Sequence, residues 1–229
     1  MKNNLTSHTI VKNGEMFIEQ VLKSLLGKVK EIKIVDTGST DKTVDIINSF
    51  INHYHAAKIS FKQVGPFKGE WKTGIPELTK IRNQMLSETK TEWAVIVDDD
   101  EIWPAELWEE LYELLKIIPK HTMAITAPFF DFVDLHTIVV TPIQSPANRI
   151  VRASKVEYRG DWPNEMWYVK NEKEWLNKFV DKRVLHLNTP YYHYGRLKKK
   201  NEVVRPEEKI NTVPFIGDHP RVIMEKFRY

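Results

Sequence analysis

The sequence contains no cysteine among its 229 residues. Disulfide bonds, thiolate metal sites and a cysteine nucleophile are therefore excluded. The sequence also lacks an apolar run near the roughly 20 residues that a membrane-spanning helix needs, and its N-terminus has no signal-peptide pattern. We therefore expect a soluble, cytoplasmic protein.

A strong excess of charge of one sign is missing as well. The formal net charge is +3 at pH 7, which is too small to predict nucleic-acid binding from bulk electrostatics. Basic residues do cluster late in the chain, from Arg196 to Lys200 and onward to Arg205. The alternatives for this run are a solvated face, contact with a diphosphate, or peripheral contact with an anionic membrane surface.

What is present is ordinary for one globular α/β domain: 41% hydrophobic and 28% charged residues. Strand and helix patterns alternate in the first half of the chain, which predicts βαβ units and a mainly parallel sheet. The predicted strands there are 8–11, 31–35, 58–61 and 93–97, and the predicted helices are 16–26, one capped by Ser39 or Thr40, 78–86 and about 104–118. Later, strands are predicted at 123–130, 137–141, 148–152 and 184–187, with a weak helix at 175–179.

An apolar run from Trp93 to Val97 ends abruptly in four acids, Asp98 to Glu101. Ligands of open α/β sheets bind beyond the carboxyl ends of the strands. Alternation along a strand would point Asp98 and Asp100 the same way, with Asp99 and Glu101 opposed. Two converging carboxylates suit Mg²⁺ or Mn²⁺ and, through the metal, phosphates. The alternative is an acidic turn that caps the helix starting near Pro104.

A second acid, Asp36, follows the strand at residues 31–35 and should lie on the same sheet edge. A carboxylate there can accept the imino hydrogen of a pyrimidine base, and Gly38 lets backbone approach a ligand closely. The alternative is a turn from Asp36 to Asp41 whose polar side chains cap the next helix.

Several motifs occur in a fixed order along residues 7 to 196. They are residues 9–13 (TIVKN), 34–41 (IVDTGSTD), 82–83 (RN), 98–101 (DDDE), 148–152 (NRIVR), 160–165 (GDWPNE) and 193–195 (HYG). The ordered set resembles glycosyltransferase family two, whose members have the GT-A fold, a Rossmann-like α/β architecture. The later motifs resemble the branch that includes lipopolysaccharide-core β-glucosyltransferases.

The resemblance implies a donor site. Asp36 would contact the nucleobase in a pocket lined by backbone around Val11 and Lys12 and approached closely at Gly38. Arg82 would approach the base or the phosphates, the alternative being a surface arginine on a helix. Asp98 would bind the ribose or a metal-bound water. Asp99 is grouped with the donor-binding residues, although it could instead support the turn.

The resemblance also implies a metal site and a catalytic base. Asp100 and His193, with Asp98, would hold Mn²⁺ or Mg²⁺, with His186 as the alternative histidine. Glu165 would deprotonate the acceptor hydroxyl in an inverting transfer. Asp161 and Glu101 are the alternative bases. The remaining alternative is that Glu165 is a surface acid in a loop.

The predicted function is therefore metal-dependent, inverting transfer of a sugar from a nucleotide-sugar donor, with a UDP-sugar favoured. The acceptor would be a glycan, a lipid-linked molecule or a protein. The alternatives are a sugar-phosphate nucleotidyltransferase, whose usual Gly-rich basic loop is missing after the first strand, and a non-catalytic nucleotide- or glycan-binding protein.

The predicted domain is residues 1–200, with a nucleotide-binding half at 1–118 and an acceptor and metal-completing half at 119–200. Residues 201–229 are predicted to be a C-terminal extension, serving as a tail, a lid or an arm for homo-oligomer formation. The segment 65–76 is either a mobile loop over the donor or ordinary surface.

Overall fold

A computed structural model describes residues 4–66, 76–140, 147–159, 166–177, 179–198 and 211–227. In the first half, four strands alternate with helices, as the hydrophobic pattern predicts. The elements are β1 Leu5–Val11, α1 Ile18–Leu25, β2 Glu31–Asp36, α2 Thr43–His53, β3 Ile59–Gln63, α3 Pro76–Glu88, β4 Trp93–Ile96, β5 Glu101–Ile102 and α4 Ala105–Ile117. Strands β1, β2 and β4 are buried along their whole length. Only β4 is a continuous apolar run, whereas β1 and β2 also bury polar and charged residues.

The second half is built from short strands. They are β6 Ala124–Ala127, β7 Phe129–Asp134, β8 Thr137–Val139, β9 Ala147–Arg152, β10 Val156–Tyr158, β11 Trp167–Val169, β12 Val184–His186, β13 Tyr191–His193 and β14 Thr212–Pro214, with the short helices α5 Gly195–Lys198 and α6 Arg221–Phe227.

The large sheet has seven strands in the order β12-β6-β9-β4-β1-β2-β3. Strands β4, β1, β2 and β3 are mutually parallel, and β9 runs antiparallel between β4 and β6. Val11 at the end of β1 pairs with Asp36 at the end of β2, and Val97, just after β4, donates to the carbonyl of His8 on β1. The carboxyl ends of the three strands therefore meet at one edge.

A second sheet, in the order β14-β8-β7-β13-β5, lies beside that edge. In this sheet, β13 pairs antiparallel with β5 and parallel with β7. This register places His193 between Glu101 on one side and Asp131 on the other. A residue from the C-terminal part of the chain is thereby brought to the acids that follow β4.

Most of the tryptophans serve the core. Trp93, Trp103, Trp108 and Trp167 are buried, whereas Trp175 is 38% exposed. Each large apolar side chain removed from water contributes roughly 1.5–3 kcal/mol, so these side chains have a structural role. No helix in the described part of the chain is long and apolar enough to cross a membrane.

Three local predictions are wrong. The strand predicted at 123–130 is two strands, because Pro128 has no N–H for the ladder and the chain passes there from one sheet to the other. The predicted helix at 175–179 is absent from its described residues, since Trp175 bridges to Tyr168 and Leu176 packs in the core. Neither Ser39 nor Thr40 caps α2: this helix begins at Thr43, whose N–H donates to Asp41 at 3.0 Å.

The described residues of the predicted C-terminal extension pack on the domain. Strand β14 pairs with β8, and helix α6 contacts α1 through Ile223, which is fully buried in the main core. The rings of Phe227 and Phe17 lie 6.1 Å apart. Residues 211–227 thus contribute a strand to the second sheet and a helix that packs on α1.

Candidate active site

The four acids after β4 form a turn. The strand ends at Ile96, and the N–H of Glu101 donates to the carbonyl of Asp98 at 3.1 Å. The predicted strand-like alternation is therefore wrong, because side chains in a turn do not alternate between two faces. Asp98 and Glu101 share Arg149, and Asp99 and Asp100 share Lys198.

Arg149 joins the first pair of acids from strand β9. Its guanidinium lies 2.5 Å from Glu101 and 3.2 Å from Asp98. Burial raises the pKa of Glu101 to about 8, against the opposing attraction of the Arg149 charge. Arg82 on α3 approaches Asp98 from another direction, at 3.9 Å. Asp98 is thus surrounded by two guanidinium groups.

Lys198 at the end of α5 joins the second pair. Its ammonium lies 2.6 Å from Oδ1 of Asp99 and 3.1 Å from Oδ2 of Asp100. Burial raises the pKa of Asp99 to about 6 although Lys198 opposes the shift. Oδ2 of Asp99 is buried and has no hydrogen-bond partner in the part of the chain that the structure describes.

His193 completes this corner of the site. Its Nε2 lies 3.6 Å from Oδ1 of Asp100, and its Nδ1 lies 3.0 Å from Oδ1 of Asp131. Arg196 holds the other Asp131 oxygen at 2.6 Å. Burial alone would lower the pKa of His193, but Asp100 and Asp131 outweigh it and raise the pKa above its ordinary value.

Two glycines allow this close packing. A Cβ on Gly195 would lie 2.7 Å from Nε2 of His193 and 3.0 Å from Oδ2 of Asp100. A Cβ on Gly14 would collide with Oδ2 of Asp99 and would lie 2.6 Å from Cγ2 of Val11. The His-Tyr-Gly motif therefore needs its glycine for space beside the acids.

Asp36 lies on the same edge and is only 1% exposed. Its carboxylate accepts the N–H groups of Gly38 and Ser39, both at 3.1 Å, and the hydroxyl of Ser39. The carbonyl of Val11 accepts the N–H of Thr37 at 2.9 Å, which ties the ends of β1 and β2 together. Asp36 thus shapes the loop after β2, and its contact with a nucleobase stays a prediction. Lys12 next to Val11 is half-buried.

Gly38 has a φ of +96° and a Cβ there would lie 2.8 Å from Cα of Pro66. Both the left-handed backbone and the lack of space select glycine at this position. This is a structural reason for the glycine of the 34–41 motif, in addition to the predicted approach to a ligand.

The two residues of the 82–83 motif have different partners. Arg82 is nearly buried and turns toward Asp98, and its Nη1 has no hydrogen-bond partner among the described residues. The amide of Asn83 exchanges two hydrogen bonds of 2.8 Å with the backbone of Tyr158. Arg82 is therefore buried beside the acids rather than on the surface, and its contact with the nucleotide stays a prediction. Asn83 fastens α3 to the hairpin formed by β10 and β11.

The predicted base Glu165 and its alternative Asp161 lie outside the described residues. So does most of the segment 65–76. The alternative histidine, His186, bonds to the hydroxyl of Thr126 at 2.7 Å and is exposed.

The described residues contain no group of three His, Asp or Glu side chains already arranged around a metal position. Their donor set nevertheless fits a hard divalent cation, since Asp100 and His193 supply oxygen and imidazole nitrogen. A cationic group is already accommodated there, because the Lys198 ammonium lies on Asp99 and Asp100. Asp98, the third predicted ligand, pairs with Arg82 and Arg149.

Comparison with known proteins identifies the family. Residues 8–195 match the family described as Glycosyl transferase family 2. The chain belongs to this family. The GT-A fold and the glycosyltransferase class predicted from the sequence are confirmed, and the large, mostly parallel sheet agrees with them.

Relatives are distant. The chain is 24% identical over 214 residues to the SPbeta prophage-derived glycosyltransferase SunS of Bacillus subtilis (strain 168), covering 92% of this chain and 46% of SunS. It therefore spans about half the length of the curated relatives it matches first. The S. aureus TarS 1-349 crystal structure superimposes with a TM-score of 0.52 at 17% identity, over 83% of this chain and 60% of that one.

A further solved structure, the mannosyltransferase PcManGT from Pyrobaculum calidifontis in complex with GDP-Man and Mn²⁺, matches with a TM-score of 0.47 and 19% identity. That match covers 56% of this chain and 36% of the mannosyltransferase. The lipopolysaccharide-core branch suggested by the later sequence motifs stays a prediction within family 2.

Sequence reasoning missed several residues of the site. Asp131 lies in a region where only a broken strand pattern is visible, and Arg149 belongs to a recognised motif without an assigned role. Lys198 lies in the late basic run, for which contact with a diphosphate was one alternative. Asp131 is placed by the register of β13 with β7, and Arg149 and Lys198 reach the acids from β9 and α5. These long-range contacts leave no local signal in the sequence.

Proposed function

We propose that this chain transfers a sugar from a nucleotide-sugar donor to an acceptor hydroxyl, with inversion and with Mn²⁺ or Mg²⁺. The observation that carries the proposal is the meeting of Asp100 and His193 beside the carboxyl ends of β1, β2 and β4. This is the position at which open α/β sheets bind nucleotides. Family membership supports the transfer chemistry, and UDP is the favoured nucleotide because Asp36 suits uracil.

Asp100 and His193 would hold the metal, with Asp98 turning from its arginine partners or contacting a metal-bound water. The bound cation would stabilise the negative charge that develops on the departing diphosphate. Asp131 orients His193, and Arg149 holds Asp98 and Glu101 in place. Arg82, whose buried Nη1 has no hydrogen-bond partner within the described ranges, would face the nucleotide.

The reaction needs one base. Glu165 accepts the proton of the acceptor hydroxyl while the acceptor oxygen forms a bond to the anomeric carbon. The bond between that carbon and the diphosphate oxygen breaks, and its electron pair leaves with the diphosphate. A retaining double displacement would need a carboxylate nucleophile instead.

The proposal is tested by screening UDP-, GDP- and dTDP-sugars for hydrolysis with and without Mn²⁺. We expect hydrolysis of a UDP-sugar that requires the metal and is lost in Asp100→Ala. The matched control is Asp134→Asn, since Asp134 is an exposed acid at the end of β7. Metal-independent hydrolysis at the same rate would contradict the mechanism.

The base is tested separately with Glu165→Gln. This variant should retain UDP binding, because the amide has the size of the carboxylate, and it should lose transfer. Transfer at the wild-type rate would remove Glu165 from the role and leave Asp161 and Glu101 as the candidates.

A further inference from the structure

The ammonium of Lys198 lies on two of the four acids at once. It is 2.6 Å from Asp99 and 3.1 Å from Asp100, and the Lys198 side chain is only 17% exposed. We propose that Lys198 is an internal counter-ion that keeps the place of the divalent cation, is displaced when the metal binds, and then pairs with the diphosphate of the donor. This inference rests on the proposed function of the site.

The local charge explains why a cation is needed in the absence of metal. Four acids lie within one turn, and Arg149 is committed to Asp98 and Glu101. Asp100 also has His193 at 3.6 Å, whereas Asp99 is 9% exposed and lies beside the Asp100 carboxylate with little water around it. Like charges held together in a poorly solvated place destabilise each other. Lys198 relieves this repulsion.

The geometry also explains why the ammonium must leave. The ammonium lies 3.1 Å from Oδ2 of Asp100, and His193 faces Oδ1 of the same carboxylate. A dication held by Asp100 and His193 would share this carboxylate with the ammonium, and the two cations would repel each other at so short a distance. The two cations are therefore alternatives at Asp100.

The Lys198 side chain can make this movement while its helix stays in place. Helix α5 is anchored at Arg196, which holds Asp131 at 2.6 Å, whereas Lys198 is its last residue. A lysine head is carried on a flexible four-carbon stem and can move without its helix. Once displaced, the Lys198 ammonium would lie beside the metal-bound diphosphate and would pair with its negative charge.

The experiment measures amine reactivity in the wild-type chain. Lysines are labelled with a limiting amount of acetic anhydride, and modification of each is quantified by mass spectrometry in three samples: no metal, Mn²⁺, and Mn²⁺ with UDP. We expect Lys198 to react slowly without metal, severalfold faster with Mn²⁺, and slowly again when UDP is added. The internal control is Lys120, which is exposed and follows α4. It should react equally in all three samples.

Free Mn²⁺ is measured in the same samples by electron paramagnetic resonance. Bound Mn²⁺ with unchanged Lys198 reactivity would overturn the displacement and leave the metal-dependent function standing. Fast labelling that persists with UDP bound would overturn the pairing with the diphosphate. Absence of Mn²⁺ binding would overturn both this inference and the proposed metal dependence.

A variant gives an independent measurement. Lys198→Met should bind Mn²⁺ severalfold more tightly than the wild type without nucleotide, because the competing ammonium is gone, and should bind UDP more weakly in the presence of Mn²⁺. Lys120→Met should change neither affinity. Weaker Mn²⁺ binding in a folded Lys198→Met protein would contradict the competition.

Discussion

Asp131 lies 3.0 Å from Nδ1 of His193 and so fixes the direction of its other ring nitrogen, Nε2, toward Asp100. An ionised carboxylate only accepts hydrogen bonds, so the Nδ1 proton belongs to this contact. Carboxylates that hold a histidine in this way orient it as a metal ligand. Asp131 is accordingly a positioning residue for the proposed metal site.

The variant Asp131→Asn tests this relationship. We expect Mn²⁺ affinity, measured by calorimetry, to fall by roughly 10- to 100-fold because His193 loses its fixed orientation. Asp134→Asn, three residues further along the same strand, should leave the affinity unchanged. Equal affinities for the two variants would show that Asp131 does not orient a ligand.

Gly195→Ala separates local stability from metal binding. Alanine favours a helix over glycine by about 1 kcal/mol, so on helix propensity alone the variant should be neutral or slightly stabilised. Its Cβ would nevertheless lie 2.7 Å from Nε2 of His193, which should displace the imidazole and lower Mn²⁺ affinity. The free energy of unfolding and the affinity are measured on the same protein. Unchanged affinity would indicate that the glycine is not needed for space at this site.

How far sequence predicts this structure depends on element length. Strands β1, β2 and β4 contain seven, six and four residues and alternate with helical patterns, so the sequence predicts them and the shared carboxyl edge of β2 and β4. Strands β5 and β13 contain two and three residues, too few to display any period. Their pairing sets the register of His193 and the turn at the acids, so the partners of the acids could not be predicted.

Within the site, some neighbours were predicted from the sequence motifs and others depend on long-range contacts. Asp100 and His193 were predicted as neighbours from the resemblance, and the structure brings them to 3.6 Å. The predicted opposition of Asp98 and Asp100 to Asp99 and Glu101 failed because it assumed that β4 continues through them. Long-range ion pairs such as Arg149 with Glu101 leave no local signal in the sequence.

Arg149→Met should destabilise the protein. The buried guanidinium of Arg149 binds Asp98 and the fully buried Glu101, and a buried hydrogen-bonding group that loses its partner costs about 1–3 kcal/mol. Adding Glu101→Gln should cause little further loss, because the pKa of Glu101 is already raised to about 8 and its side chain is left uncharged when Arg149 is removed. Both variants are measured by urea denaturation. A double variant much less stable than Arg149→Met alone would contradict this account.

His8 makes the stability dependent on pH. Burial, followed by the charges of Arg82 and Lys33, holds the pKa of His8 well below its ordinary value. His8 of the unfolded chain therefore takes up a proton near pH 6.5, whereas His8 of the folded chain stays neutral at that pH. The stabilising contribution is complete above pH 6.5 and is lost as the pH falls toward the folded pKa.

Urea denaturation at pH 7.5 and 5.5 measures this effect. We expect His8 to account for a loss of about 1 kcal/mol between the two pH values. The control is His8→Gln, whose amide can still bond the hydroxyl of Thr89 but does not titrate. An equal loss in the variant and the wild type would exclude His8 as the source.

The most direct test of the central claim is calorimetric titration of the chain with UDP, with and without Mn²⁺, in the wild type and in Asp100→Ala. We predict clear UDP binding to the wild type with Mn²⁺, much weaker binding without it, and loss of the metal-dependent gain in Asp100→Ala. UDP binding of equal strength with and without Mn²⁺ would contradict the metal-dependent donor site.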